Sequence, residues 1–204
     1  MRLIPALPAL LPTLLTLTSP ALAGGSIIVA PVYSQLVAVP VPAGFKAGFE
    51  NERQGSYILE LTPAGETVDQ WTQLITVTGE KGGAAQMTAT DMAASIGRGY
   101  QDACPTSFAA RSLPVPKVRG AAEVFAGYLG CGSVKGVSEA MVFLVIKGTS
   151  EVYTVQWAER GTAQDEPLDV NPVVWRQRAD ALALTRICDK VSGEVAPYPS
   201  CTAN

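Results

Sequence analysis

Two kinds of residue in this chain have side chains able to do chemistry at useful spacing: four cysteines and a scatter of carboxylates. The cysteines stand at positions 104, 131, 188 and 201. None forms the C-x-x-C pair that redox catalysis uses, and the same spacing argument removes a four-cysteine zinc site. They read instead as two disulfides, with three possible connectivities. The expected pairs are Cys104 with Cys131 and Cys188 with Cys201. Among the carboxylates, Glu60, Glu66 and Asp69 lie close in sequence, while Glu139, Glu151 and Glu159 flank an apolar hairpin. Two of these converging in a cleft would make a carboxylate-dependent hydrolase, for example one acting on glycans. Glu66 and Asp69, with Trp71 beside them, are the candidate pocket-rim motif. Carboxylates two or three residues apart more often make a solvated turn, so no catalytic residue is assigned.

Histidine is absent from the whole sequence. Ser-His-Asp and Cys-His catalysis, His-ligated zinc and the usual neutral-pH general base are therefore excluded together. The glycine-rich stretch Glu80 to Gln86 is not a phosphate loop, because Lys81 precedes Gly82 and Gly83 instead of following the last glycine. It reads as a mobile connection. No cofactor is implied.

The chain opens with Arg2, an apolar run from Leu3 to Leu17 broken by prolines, and Ala21-Leu22-Ala23. This is the pattern of a secretory signal peptide over residues 1–23, leaving one domain over 24–204 in the periplasm or outside the cell. Past residue 23 no run is long enough to cross a bilayer. The formal charge is −3, and one unit more negative without Arg2. Neither nucleic acid nor a membrane surface finds a basic patch here.

The elements that would position these groups centre on Glu139 to Glu159. Ala140 to Ile146 is apolar throughout, so both faces of that strand are expected to be covered. After a turn at Gly148-Thr149-Ser150, Val152, Thr154 and Gln156 alternate with Tyr153, Val155 and Trp157. Lys46 to Glu50 and Ser56 to Leu61 form a second hairpin, around Asn51 to Gly55. Pro31, Pro40 and Pro42 demote the opening stretch to an edge or an irregular arm. Thr67 or Asp69 caps a short helical turn, with Trp71 beneath it and a strand from Leu74 to Val77 after it.

Thr88 to Ala103 is a helix with a capping box at Thr88 and Asp91. Met92, Ile96, Tyr100 and Ala103 form its buried stripe, and Gly97 and Gly99 suggest close approach to the sheet. Phe108 to Arg111 and Glu123 to Gly132 are strands. Asn171-Pro172 opens a second helix running to about Cys188, with an exposed Arg176–Asp180 pair. Cys104 then ends one helix beside a strand bearing Cys131. The turn-rich tail with Gly193, Pro197 and Pro199 brings Cys201 back to Cys188. All three tryptophans, Trp71, Trp157 and Trp175, are expected in one core.

Gly65-Glu66-Thr67, Trp71-Thr72 and Thr76-Val77 together resemble a motif of small uncharacterised secreted bacterial proteins, which have a helix and a cysteine pair downstream. Such relatives carry a His near the last Cys, where this chain has Pro199-Ser200. The order of strands and helices indicates α+β, a curved antiparallel sheet covered by two helices. That order is similar to the PsbP-like arrangement, and the similarity implies docking more than catalysis. Three functions remain open: a secreted or periplasmic binding or interaction module for an unknown protein or small ligand of the envelope, a carboxylate hydrolase, and an accessory subunit of an envelope complex.

Overall fold

The computed structural model describes residues 25–168 and 171–202. The expected signal peptide, residues 1–23, lies outside them. The fold is α+β, with two antiparallel sheets and two disulfides.

The sequence of elements begins with β1 (Ser26–Val32), β2 (Gln35–Val41), β3 (Phe45–Arg53), β4 (Ser56–Pro63) and β5 (Gln73–Glu80). Helix α1 (Ala89–Ala103) and strands β6 (Phe108–Ser112), β7 (Glu123–Val134), β8 (Val137–Lys147) and β9 (Val152–Thr162) follow. Helix α2 (Pro172–Leu182), β10 (Arg186–Asp189) and the short α3 (Pro199–Thr202) close the described chain. The main sheet runs β3-β4-β5-β9-β8-β7-β6, and a three-stranded sheet runs β1-β2-β10. Hairpin β8–β9 sits at the middle of the main sheet and pairs from Val137↔Thr162 to Lys147↔Val152. Two tight turns explain their neighbours' register. Gln54-Gly55 joins β3 to β4 and Lys135-Gly136 joins β7 to β8, each with both residues at positive φ, as a type I′ hairpin turn requires. The β3–β4 loop is thus shorter than the Asn51–Gly55 loop expected.

Every residue from Ala140 to Ile146 is buried. On one face of the main sheet, Leu129, Met141, Phe143 and Val145 pack with Ala89 and Ala93 of α1. On the other, Val142, Leu144, Tyr153 and Val155 meet Val37, Val39 and Val41 of the small sheet and Leu182 of α2. The small sheet thus joins α2 in covering that second face. The two sheets come close at Gly79, where a Cβ would lie 2.6 Å from Val32 Cγ1.

Several local expectations need correction. The proline-bearing opening is the β1–β2 hairpin, and β2 is nearly all buried. Pro40 is tolerated because β10 pairs with β2 only from Gln35 to Ala38, so the missing N–H interrupts no ladder there. Residues 68–70 form a bend, not a helical turn; Thr67 Oγ1 accepts from Gln70 N across 3.1 Å and closes a tight turn instead. The glycine-rich connection is packed: Gly83 and Ala84 are buried in a single turn of 3₁₀ helix, and Ala84 N donates to Ser150 O. Helix α1 has its capping box at Thr88 and Asp91. Gly97 and Gly99, however, face open space and make no close approach. Helix α2 stops at Leu182, because β-branched Thr185 and Ile187 lead into β10 on the open edge of β2. Arg176 and Asp180 form no ion pair.

The bridges join Cys104 to Cys131 and Cys188 to Cys201. The second ties β10 to α3, where a helix end was expected. All three tryptophans are buried, but in two cores: Trp71 belongs to the α1 side, Trp157 and Trp175 to the other.

Candidate functional site

Two hollows in this fold bring polar groups together, one on each face of the main sheet. The first, of about 520 Å³, lies between the end of α1, the loop before β5 and the β8–β9 ladder. Asp69, Tyr100, Lys135, Glu139 and Arg160 line it. Glu139 and Arg160 are register partners across β8 and β9, so their side chains share a face. Tyr100, one turn from the end of α1, donates to Glu139 Oε1 at 2.5 Å, and Arg160 Nε donates to Oε2 at 3.0 Å. The Arg160 guanidinium lies 3.8 Å over the Trp71 ring. Burial raises the Tyr100 pKa well above the usual phenol range, and Glu139 adds to the rise. Tyr100 is therefore a fixed donor at neutral pH.

Of the three candidate rim residues, only Asp69 lines this hollow; Trp71 sits behind Arg160. Glu66 is half-buried and tied to the loop itself, accepting from Thr72 N at 2.6 Å and Thr72 Oγ1 at 2.7 Å. Those bonds hold its carboxyl below the usual carboxylate range. Glu60, on β4, behaves oppositely. Burial raises its pKa; Arg160 opposes that rise and Asp69 adds to it. The other flanking acids go elsewhere. Glu151 is buried at the junction of the two sheets, accepting from Ser34 and Tyr153. Glu159 faces α2. Both Glu139 oxygens are engaged, so the two carboxylates lining the hollow are not a free acid and base. Among the described residues no cluster of three or more His, Cys, Asp or Glu is arranged to hold a metal ion.

The second hollow, about 670 Å³, opens between α2 and strands β6, β7 and β8. Leu113, Tyr128, Val142, Leu144, Leu168, Trp175 and Leu182 make its apolar walls. Helix α2 packs on β8 and β9, which leaves the β6–β7 side of this face uncovered by helix. Tyr128 stacks edge-on to Trp175 at 5.6 Å, and its hydroxyl donates to Leu168 O at 3.0 Å. Arg111 lies 6.0 Å over the Tyr128 ring, and among the described residues neither Arg111 nor Arg176 makes an ion pair. Glu166 and Asp180 also line the rim. A cleft of this volume, apolar with a few polar groups at its mouth, has the dimensions of a small-ligand site.

Sequence reasoning missed this cleft. Its one legible sign is Leu113-Pro114-Val115-Pro116, an apolar segment that can belong to neither a helix nor an inner strand.

No family model and no curated protein matches this sequence. Solved structures similar to it include a protein of Bacteroides thetaiotaomicron VPI-5482, at 12% identity and TM-score 0.41, covering 83% of this chain and 50% of that one. This chain thus spans half the length of that protein. Another is the cyanobacterial PsbP (CyanoP) of Synechocystis sp. PCC 6803, at 13% identity and TM-score 0.44, covering 83% of this chain and 95% of that one. Neither likeness carries a ligand, a partner or an activity over to this chain.

Proposed function

We propose that this chain is a binding module of the bacterial envelope, one domain over residues 24–204, acting without a cofactor, and that its ligand seats in the cleft beneath α2. The observation that carries this reading is the cleft itself: apolar walls, an aromatic pair, and guanidinium groups that make no ion pair among the described residues. Two disulfides suit an oxidising compartment. No helix among the described residues is long and apolar enough to cross a membrane. The hydrolase reading loses ground because Glu139 is committed to Tyr100 and Arg160.

The test uses 1-anilinonaphthalene-8-sulfonate, an anionic aromatic probe of cleft size. Native protein is expected to bind it with enhanced, blue-shifted emission. Ala179→Trp, which fills the cleft from α2, is expected to abolish that binding while leaving the circular dichroism unchanged. Equal binding by both proteins overturns the proposal.

A further inference from the structure

One wall of the cleft is an open sheet edge. The main sheet ends at β6, which pairs with β7 alone. Leu113 N donates to Ala126 O, and Ser107 O accepts from Gly132 N. Odd-numbered residues of β6 therefore turn their backbone groups inward to β7. Phe108, Ala110 and Ser112 then present N–H and C=O groups outward, and no backbone partner meets them among the described residues.

The side chains follow the same parity. Ala109, Arg111 and Leu113 line the cleft. A strand laid along β6 would place every second side chain on that face, opposite these three residues. Ala109 is small and leaves room for a large apolar neighbour. Among the described residues Arg111 makes no ion pair, and it matches an acidic neighbour. Leu113 suits an apolar residue again. Val115 and Val173, next in sequence to the cleft-lining Pro114, Pro116 and Pro172, are exposed apolar residues.

The opposite edge shows how this protein blunts an edge it does not use. Strand β3 carries Lys46, Glu50, Glu52 and Arg53 and a bulge between Ala47 and Phe49. Charges and bulges are the ordinary protection against strand addition. Strand β6, Phe-Ala-Ala-Arg-Ser, has no bulge and a single charge.

We infer that β6 is a docking edge for an extended polypeptide segment of a partner, which adds as a further strand with the pattern apolar–x–acidic–x–apolar and seats its apolar side chains in the cleft. This rests on the cleft being the binding site.

The probe is the fluorescein-labelled peptide Thr-Leu-Thr-Glu-Thr-Leu-Thr, amidated, whose palindromic core keeps the pattern in either strand direction. Fluorescence polarisation is expected to show saturable binding. Ala110→Pro removes an outward donor without touching the β6–β7 ladder, so it should weaken the peptide about fivefold or more. Arg111→Glu should reverse the preference between this peptide and its Glu-to-Lys counterpart, by about tenfold. The anilinonaphthalene probe should bind Ala110→Pro as it binds native protein, which certifies the fold and the cleft.

Undiminished peptide binding by Ala110→Pro, or an unchanged charge preference in Arg111→Glu, overturns strand addition. Failure of the peptide where the small probe still binds also overturns it but leaves the cleft reading standing. Failure of both probes on native protein overturns both.

Discussion

Glu159 and Arg160 are neighbours on β9, so they point to opposite faces of the main sheet, and each face builds an arginine–glutamate–tryptophan cluster around one of them. On the α1 face, Arg160 pairs with Glu139 at 3.0 Å and stacks on Trp71, while Tyr100 occupies the remaining carboxylate oxygen. On the α2 face, Arg178 pairs with Glu159 at 2.5 Å between Trp175 and Trp157, whose ring centroids lie 4.6 and 5.3 Å away. The Arg178 side chain is only 8% exposed, yet among the described residues its Nη1 has no hydrogen-bond partner, nor has the buried indole nitrogen of Trp175. Among the described residues one cluster is completed, and the other is left short of acceptors. A polar network with its Glu139–Arg160 pair satisfied fixes α1 to the sheet and has little left for a ligand.

The largest effect expected is at Trp157, which packs edge-on to Phe45 and donates to Gln73 Oε1 at 3.0 Å. Trp157→Ala should cost about 3–5 kcal/mol in urea unfolding. A loss under about 1 kcal/mol would place it with surface residues and remove the core beneath the α2 cluster.

Removing the Cys104–Cys131 bridge comes next. Its two cysteines are 27 residues apart in sequence, and the double alanine variant should lose about 3 kcal/mol. The same bridge holds the end of α1 against β7, so thermal unfolding of that variant should lose the Tyr100–Glu139 contact early.

A direct comparison of the arginines is sharper. Arg160→Met strands Glu139, whose side chain is 18% exposed, and should cost about 2 kcal/mol. Arg178→Met removes a donor that is already unsatisfied and leaves Glu159 partly in water, so it should stay within about 1 kcal/mol of native. Equal costs in urea titrations would erase the distinction between the faces.

The smallest effect is in pH dependence. Folding raises the Glu60 pKa, so its contribution is fully present below the unfolded pKa and is lost as pH rises through the folded one. Glu60→Gln should therefore unfold at higher urea than native protein at neutral pH, with the gain vanishing near about pH 4. Glu66 has the opposite sign. Its lowered pKa contributes stability above the unfolded value, lost as pH falls through the folded one, so Glu66→Gln should be the less stable protein at neutral pH. Matching responses from the two variants would refute the assigned environments.

Patterns that repeat within a short stretch were determined by the sequence itself. The unbroken apolar run Ala140 to Ile146 announces a strand covered on both faces, and Thr88 with Asp91 announces the start of α1. The cysteine pairs follow from elements close along the chain. Even a wrong reading of Cys188 as a helix end left its pairing with Cys201 intact, because only a short turn-rich tail separates them. Tertiary structure alone decided the rest. Arg186 to Asp189 is a strand because β2 offers an open edge, and no local periodicity records such a partner. The cleft draws its walls from β6, β7, β8, the segment before α2 and α2 itself, so no single window of sequence contains it. The difference between Arg160 and Arg178 is of the same kind: hydrogen-bond partners of a buried charge are set by packing over long range, whereas strand and helix periods are set by neighbours.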